Sequence, residues 1–262
     1  MNVFKQLILP IIKYKFLLIQ LTGKEIKARY KQSFVGYAWV LLNPLSQLLV
    51  YSFVFSIVFR FPTNNVPYII YLYAALLPWT FSQNAIATAT QSLVENASLL
   101  RKVSFPREVI PYASVISKIV DLFFSGILFL AMTVIMRVPL APTAILFIPL
   151  FAAQLLLTTG LSLLFSSLNL FYRDVQYLTN LLMMLWMYMT PIVYPLSLVP
   201  DRYVKLYKLN PMVGIIEGYR SALFGYPFET SIILWSVAIS IIVFFAGFIL
   251  FKRSEKIFAD IV

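Results

Sequence analysis

Apolar residues occupy this chain in long runs separated by short polar or cationic stretches, and the runs set the elements. A helix needs ~20 apolar residues to cross the hydrocarbon of a bilayer. Stretches of that order recur at about residues 35–59, 67–93, 109–136, 141–170, 175–198 and 230–251. The third is interrupted only by Lys118 and Asp121, one helical turn apart. The pattern predicts an all-α integral membrane fold of six transmembrane helices, forming one domain over residues 1–262. Two segments do not fit as spans. Residues 22–34 mix apolar positions with Lys24, Lys27, Arg29 and Lys31, which suits an N-terminal amphipathic helix lying in the interface. Thr22 and Glu25 have capping-box spacing, so that helix is expected to start there. Residues 212–225, MVGIIEGYRSALFG, are too short to cross and contain Glu217 and Arg220. Flanked by Asn210-Pro211 and Tyr226-Pro227, they predict short re-entrant or surface helices between spans five and six.

Composition changes this picture only by hardening it. Of 262 residues, 61% are hydrophobic and 12% charged, against about 45–50% and 25% in soluble domains. The net charge of +11 does not point to nucleic acid, because the cations sit between apolar runs rather than on a polar face. They orient the chain instead. Six spans put both termini on one side, with Lys5, Lys13, Lys15, Lys24, Lys27, Arg29 and Lys31 before the first span. Arg101, Lys102, Arg107, Arg173, Lys252, Arg253 and Lys256 join them on that side. The other side receives Arg60, Arg137, Arg202, Lys205, Lys208 and Arg220, so both termini are expected in the cytoplasm. No cleavable signal is expected, since residues 1–21 scatter Lys5, Lys13 and Lys15 among apolar residues without a small-residue cleavage site. Histidine and cysteine are absent, which excludes disulfides, zinc sites, thiol nucleophiles and the commonest general base.

An active transporter needs an energy source, and the sequence holds no G-x-x-x-x-G-K-[ST] loop to cradle ATP phosphates. Ion-coupled carriers place several ionisable groups deep in the membrane. Here only Lys118 and Asp121 qualify, and they read more readily as a mutually neutralising pair than as a proton relay. Energy is therefore expected from another protein. The segment at residues 95–107 is the candidate handle. Its short amphipathic stretch presents Leu99, Leu100 and Val103 beside Arg101 and Lys102 before Ser104-Phe105-Pro106 breaks the helix. The same segment also reads as an ordinary solvated, positively charged loop. Aromatic residues make up 16% of the chain. Tyr37, Trp39 and Trp79, near span ends, suit interfacial belts. Trp186, Tyr188 and Tyr194 suit either helix packing or a pore wall that stacks on sugar rings.

Six ordered stretches carry a resemblance: KEIKARYKQSFVGYAWVLLNPL, LPWTFSQNAI, SLVENASLLRKVSFPREVIP, LNLFYRDVQYL, LWMYMTPIVYPLSLVP and LNPMVGIIEGYR. From about Leu21 to the C-terminus the chain resembles the permease subunit of the ABC-2-type polysaccharide exporters, which include O-antigen and teichoic acid transporters. The resemblance implies a homodimer bound to two copies of a cytoplasmic ATPase, which uses ATP and Mg while this chain needs no cofactor. It implies a coupling helix within residues 95–107, carried by Leu99, Leu100, Arg101, Lys102, Val103, Phe105 and Arg107. Residues 22–34 would form a gate helix whose Lys27, Arg29, Tyr30 and Lys31 meet the phosphate end of a lipid-linked glycan. Tyr37, Trp39, Trp79, Trp186 and Tyr188 become candidate channel aromatics, and Glu217 and Arg220 would lie at the outer mouth. The implied location is the bacterial cytoplasmic membrane. Other readings are an ABC-2 exporter of drugs or lipids, and a membrane glycan-processing enzyme. The enzyme would need several catalytic acids or bases in one pocket, whereas ten acidic residues are spread along the chain.

Overall fold

The computed structural model describes residues 12–30, 36–58 and 66–258. Among them every regular element is helical. Helix α1 spans Lys15–Tyr30, α2 Trp39–Ser52, α3 Tyr68–Glu95, α4 Ala97–Lys102 and α5 Val109–Ile135. Then come α6 Phe147–Phe171, α7 Val175–Tyr188, α8 Asp201–Leu209, α9 Pro211–Phe224 and α10 Thr230–Ser254. Three stretches are long and apolar enough to cross a bilayer: Val109–Ile135, Pro142–Phe171 and Thr230–Ile257. Leu41–Phe55 is a shorter apolar helix, closed by a π-helical segment at Phe53–Val58.

Helix α3 is 28 residues long, about 42 Å at 1.5 Å per residue, yet it is less apolar than those three. Its surroundings explain why. It packs against α2, α5, α6, α7 and α9, and nineteen of its side chains are buried. A helix shielded by protein needs no uniformly apolar surface, so it can carry Tyr73, Ser82 and Thr90 inward. Pro78 stands inside it and removes one backbone donor. The Pro78 carbonyl accepts from Gln154 Nε2 at 2.6 Å. The same nitrogen lies 2.7 Å from Ser82 Oγ, Ser82 bonds Thr158 at 2.9 Å, and the Tyr219 hydroxyl donates to Gln154 Oε1 at 2.6 Å. This buried chain joins α3, α6 and α9, and bonds of this kind between membrane helices contribute about 0.6 kcal/mol each on average.

Two hydrophobic clusters stack along the bundle. One gathers Leu48, the first turns of α3, Leu150, Leu157 and most of α9. The other gathers Leu18, Leu21, Leu93, Leu100, Phe105, Val109, Leu170, Phe251 and Phe258. The ends of α3, α5, α6 and α10 therefore alternate between the two, giving an up-and-down arrangement. Helices α6 and α10 touch backbone to backbone. A Cβ built on Gly247 would fall 2.1 Å from the Gly160 carbonyl oxygen, and one on Gly160 would fall 2.6 Å from Phe244 Cα. Only glycine admits this approach.

Several expectations shift. Helix α1 starts at Lys15, seven residues before residue 22. Thr22 is no cap: it lies inside the helix, and its buried hydroxyl lacks a hydrogen-bond partner. Glu25 turns instead to α5, accepting from Ser114 Oγ at 2.5 Å and Ser117 Oγ at 3.0 Å. Helix α7 ends at Tyr188 rather than continuing to residue 198. Pro191 and Pro195 deny the chain the donors a helix requires, and residues 189–195 run as turns and bends. The paired short helices before the last long one are α8, largely exposed, and α9, buried on nearly every side. The sequence pattern predicts both within residues 212–225, whereas α8 precedes that stretch. Residues 31–34 of the anticipated gate helix, Lys5 and Arg60 lie outside the described residues.

A substitution Gly247→Ala is expected to cost roughly 1–3 kcal/mol through overpacking, read as a lower melting temperature in detergent. Gly23→Ala is the control. A Cβ there meets nothing within 4 Å, so the helix should gain about 0.5–1 kcal/mol.

Candidate functional site

At one end of the bundle α1, α4, the start of α5 and the end of α10 converge. Helix α4 is a six-residue turn set off by Asn96, whose side chain donates to the Ser92 carbonyl at 2.8 Å and accepts from Lys24 Nζ at 2.8 Å. Its anticipated apolar ridge is mostly turned inward. Leu100 is 3% exposed and Phe105 9%, both in the cluster with Leu18 and Phe258, and Leu99 is half-buried. What faces outward is Ser98, Arg101, Lys102 and Val103, the last 51% exposed. Packing against α1 and the C-terminal segment reverses the ridge.

Arg107 is likewise taken up inside the protein. Its backbone N–H donates to Glu255 Oε1 at 2.9 Å, and its guanidinium donates to the Glu255 carbonyl. Beside it Glu108 is fully buried. Lys252 Nζ lies 2.7 Å from the Glu108 carboxylate and 2.9 Å from Glu255. Burial pushes the Glu108 carboxyl above its usual range, and the hydrogen bond and charge of Lys252 draw it back down. On α1 Lys27 is exposed. Lys31 lies outside the described residues, as do the side chains of Arg29, Tyr30 and Tyr37.

Midway along α3 and α5 a cleft of about 610 Å³ opens between them and α2, within the range of about 300–1,000 Å³ usual for ligand sites. Polar groups dominate it: Asn43 and Gln47 from α2, Thr80, Gln83 and Asn84 from α3, Lys118, Asp121 and Ser125 from α5. Trp39, 45% exposed, forms part of its wall. On α3 the cleft continues as a stripe. Thr80, Gln83, Asn84, Thr88 and Gln91 are partly or fully exposed and follow the three-to-four-residue spacing of one helix face. The stripe carries no charge, so in the sequence only its three-to-four-residue periodicity marks it.

The other aromatic candidates separate. Trp79 is 1% exposed, edge-on to Trp186 with centroids 5.6 Å apart, and donates to Gln83 Oε1 at 3.1 Å. Trp186 is half-buried and donates to Asn210 Oδ1 at 2.8 Å, so these two serve packing within the chain. Tyr188 is exposed. Arg220 is fully buried, its guanidinium 3.8 Å from the Tyr71 ring centroid. It donates to the Pro191 and Ile192 carbonyls at 2.6 and 2.7 Å, and to Glu217 at 2.7 Å. The Tyr68 hydroxyl takes the next carbonyl, Val193, at 2.5 Å. Arg220 thus holds the broken backbone after α7 against α9, a structural duty rather than an exposed position at a mouth.

Apolar spans, a buried polar chain and a polar cleft midway along two long helices are the marks of an integral membrane protein. The chain matches the ABC-2 type transporter family over residues 17–224 and belongs to it. The O-antigen export system permease protein RfbA of Myxococcus xanthus is 30% identical over 260 residues, covering 97% of this chain and 98% of that protein. A protein of the same name from Klebsiella pneumoniae is 31% identical over 248 residues, 94% of each chain. The polysialic acid transport protein KpsM of Escherichia coli is 20% identical over 239 residues, 89% of this chain and 91% of that one.

Changing Lys252→Met is expected to destabilise the chain by roughly 3–5 kcal/mol, since it leaves a buried carboxylate uncompensated. Glu108→Gln in the same chain should recover part of that loss. The deficit should be largest at neutral pH and shrink as acid protonates Glu108, because only the charged form needs the lysine. Thermal unfolding in detergent across a pH series checks both signs.

Proposed function

We propose that this chain is the permease subunit of an ATP-driven exporter that moves lipid-linked polysaccharide across the bacterial cytoplasmic membrane. The near full-length similarity to O-antigen export permeases carries the reading, and the polar cleft at membrane depth supports it. The chain acts as one domain with six spans: α2 with its π-helical continuation, α3, α5, α6, α7 with the turns after it, and α10. Helices α8 and α9 form the short re-entrant pair between the last two spans. Both termini lie in the cytoplasm, where the cationic end of the bundle belongs.

The permease works as a homodimer with two copies of a cytoplasmic ATPase. ATP and Mg are used there, and the chain itself catalyses no reaction. The outward residues of the coupling segment, Arg101, Lys102 and Val103, meet the ATPase. Leu100, Phe105 and Arg107 hold that segment's shape from within. Lys27, Arg29 and Lys31 engage the phosphate end of the lipid carrier, an anion suited to clustered cations near the membrane surface.

Reconstituted with its ATPase in vesicles, the chain should translocate lipid-linked glycan only when ATP is supplied. A deletion strain that keeps its surface polysaccharide, with no second copy of the gene, would overturn this reading. Arg101→Glu and Lys102→Glu are expected to lower ATP-driven transport several-fold while the protein still inserts and folds. Replacing Lys27, Arg29 and Lys31 together with Gln should weaken the apparent affinity for substrate-stimulated ATP hydrolysis and flatten its salt dependence. Unchanged affinity would reduce these three to topology signals.

A further inference from the structure

Helix α8 carries three kinds of side chain in three parallel rows. Residues three apart lie side by side along one helix face. Arg202, Lys205 and Lys208 form the first row, Tyr203, Leu206 and Leu209 the second, and Val204 and Tyr207 the third. The third row faces the protein. Both its side chains are half-buried, and the Tyr207 hydroxyl lies 2.9 Å from that of Tyr194. Lys208 adds a second tie, 3.1 Å from Glu229 at the start of α10. These contacts fix how α8 is turned, and they turn its apolar row outward. Tyr203 is 45% exposed, Leu206 61% and Leu209 55%.

The position of α8 narrows what meets that row. Glu229 stands immediately before the apolar run of α10, whose first turns present Leu234 and Trp235 outward. The other end of α10 is the one joined to Arg107. Helix α8 therefore lies where an apolar span begins, at the boundary of hydrocarbon and water, away from α4. An amphipathic helix at that level sinks its apolar row among acyl chains and keeps its cations among the headgroups. Arg202 and Lys205 are exposed and form no ion pair among the described residues. The Arg202 guanidinium sits 4.6 Å from the Tyr203 ring centroid, which holds the charge over a ring suited to the same boundary. With Asp201 the one acid in the helix, the row complements an anionic headgroup. A second copy docked on the same row across a two-fold axis would set like charges against each other.

We propose that α8 is a surface anchor for acidic phospholipid. Tyr203, Leu206 and Leu209 enter the acyl region, while Arg202 and Lys205 hold the headgroup phosphate. This goes beyond the export reading and needs only that the chain spans a bilayer.

The chain has no cysteine, so single thiols carry single labels. Leu206→Cys and Lys205→Cys are spin-labelled in the full chain and reconstituted in vesicles of phosphatidylcholine and phosphatidylglycerol. Ile127→Cys serves as the lipid-facing control and Ser98→Cys as the aqueous one. Collisions with oxygen, which concentrates in hydrocarbon, are compared with collisions with a water-soluble nickel chelate. The label at Leu206 should favour oxygen as at Ile127, and the label at Lys205 should favour nickel as at Ser98. A Leu206 label that favours nickel would overturn the anchor, because the row would then face water. One shielded from both would overturn it too, because protein would then cover the row. Headgroup choice is read from a bimane on Leu206→Cys, quenched by nitroxide-bearing phosphatidylglycerol or phosphatidylcholine at equal content. The acidic lipid should be enriched beside the label roughly fivefold for each cation engaged. Arg202→Gln with Lys205→Gln should remove that preference and leave the collision pattern at Leu206 unchanged. Equal quenching by the two lipids, or a preference that survives the double substitution, would overturn the headgroup assignment. No glycan carrier is present in these vesicles, so the phosphate of a transported lipid cannot give the signal.

Discussion

A polar group that leaves water inside this bundle must find its partner within the chain, and the deepest arrangements answer that demand. Gln154 is the clearest case. It reaches α3 to take the Pro78 carbonyl and receives the Tyr219 hydroxyl from α9, so a proline in a central helix becomes a fixing point for two others. Arg220 does the same for the break after α7, where Pro191 and Ile192 leave carbonyls that no helix satisfies. Asn210 closes the other side of that break. It caps α9 through Met212 N–H at 3.0 Å, accepts from Trp186, and donates to Thr190 Oγ1 at 2.9 Å. Irregular backbone at membrane depth is tolerated where protein surrounds it, and these three side chains supply the surroundings.

Against that background the exposed polar surface of α3 stands apart. Among the described residues, buried polar side chains are paired with few exceptions, while Asn84 and Gln91 on the outer face of α3 are fully or partly exposed. The division is sharp along a single helix. Tyr73, Ser82 and Thr90 point into the bundle and are bonded there, whereas Asn84, Thr88 and Gln91 stand on its partly or fully exposed face. One helix thus serves both as the core of the fold and as a wall of the cleft.

The long spans were legible because hydropathy is a local property: α5 and α10 fall within three residues of their expected bounds, while α6 starts six residues late because Pro142–Leu146 form a 3-10 turn before it. The Asn210-Pro211 start of α9 was also written locally, as a cap followed by a proline at the first helical position. What was not legible depends on distant partners. Nothing near Arg220 foretells that carbonyls 28 and 29 residues earlier will receive it. Leu100 and Phe105 looked like an exterior ridge because Leu18 and Phe258, which cover them, lie far away in sequence. Trp79 read as a belt residue until Trp186 was brought against it. The shortness of α7 had its signal in Thr190-Pro191, but an apolar run continues through that pair and outweighed it.

The join between residues 107–108 and the end of α10 has a mechanical meaning. Arg107, Glu108, Lys252 and Glu255 link a short surface turn to a helix 25 residues long, which is itself seated on α6 through Gly160 and Gly247. The turn that carries Arg101 and Lys102 is therefore no slack loop: hydrogen bonds and ion pairs fasten its end to two helices in backbone contact, as a bracket is bolted to a beam.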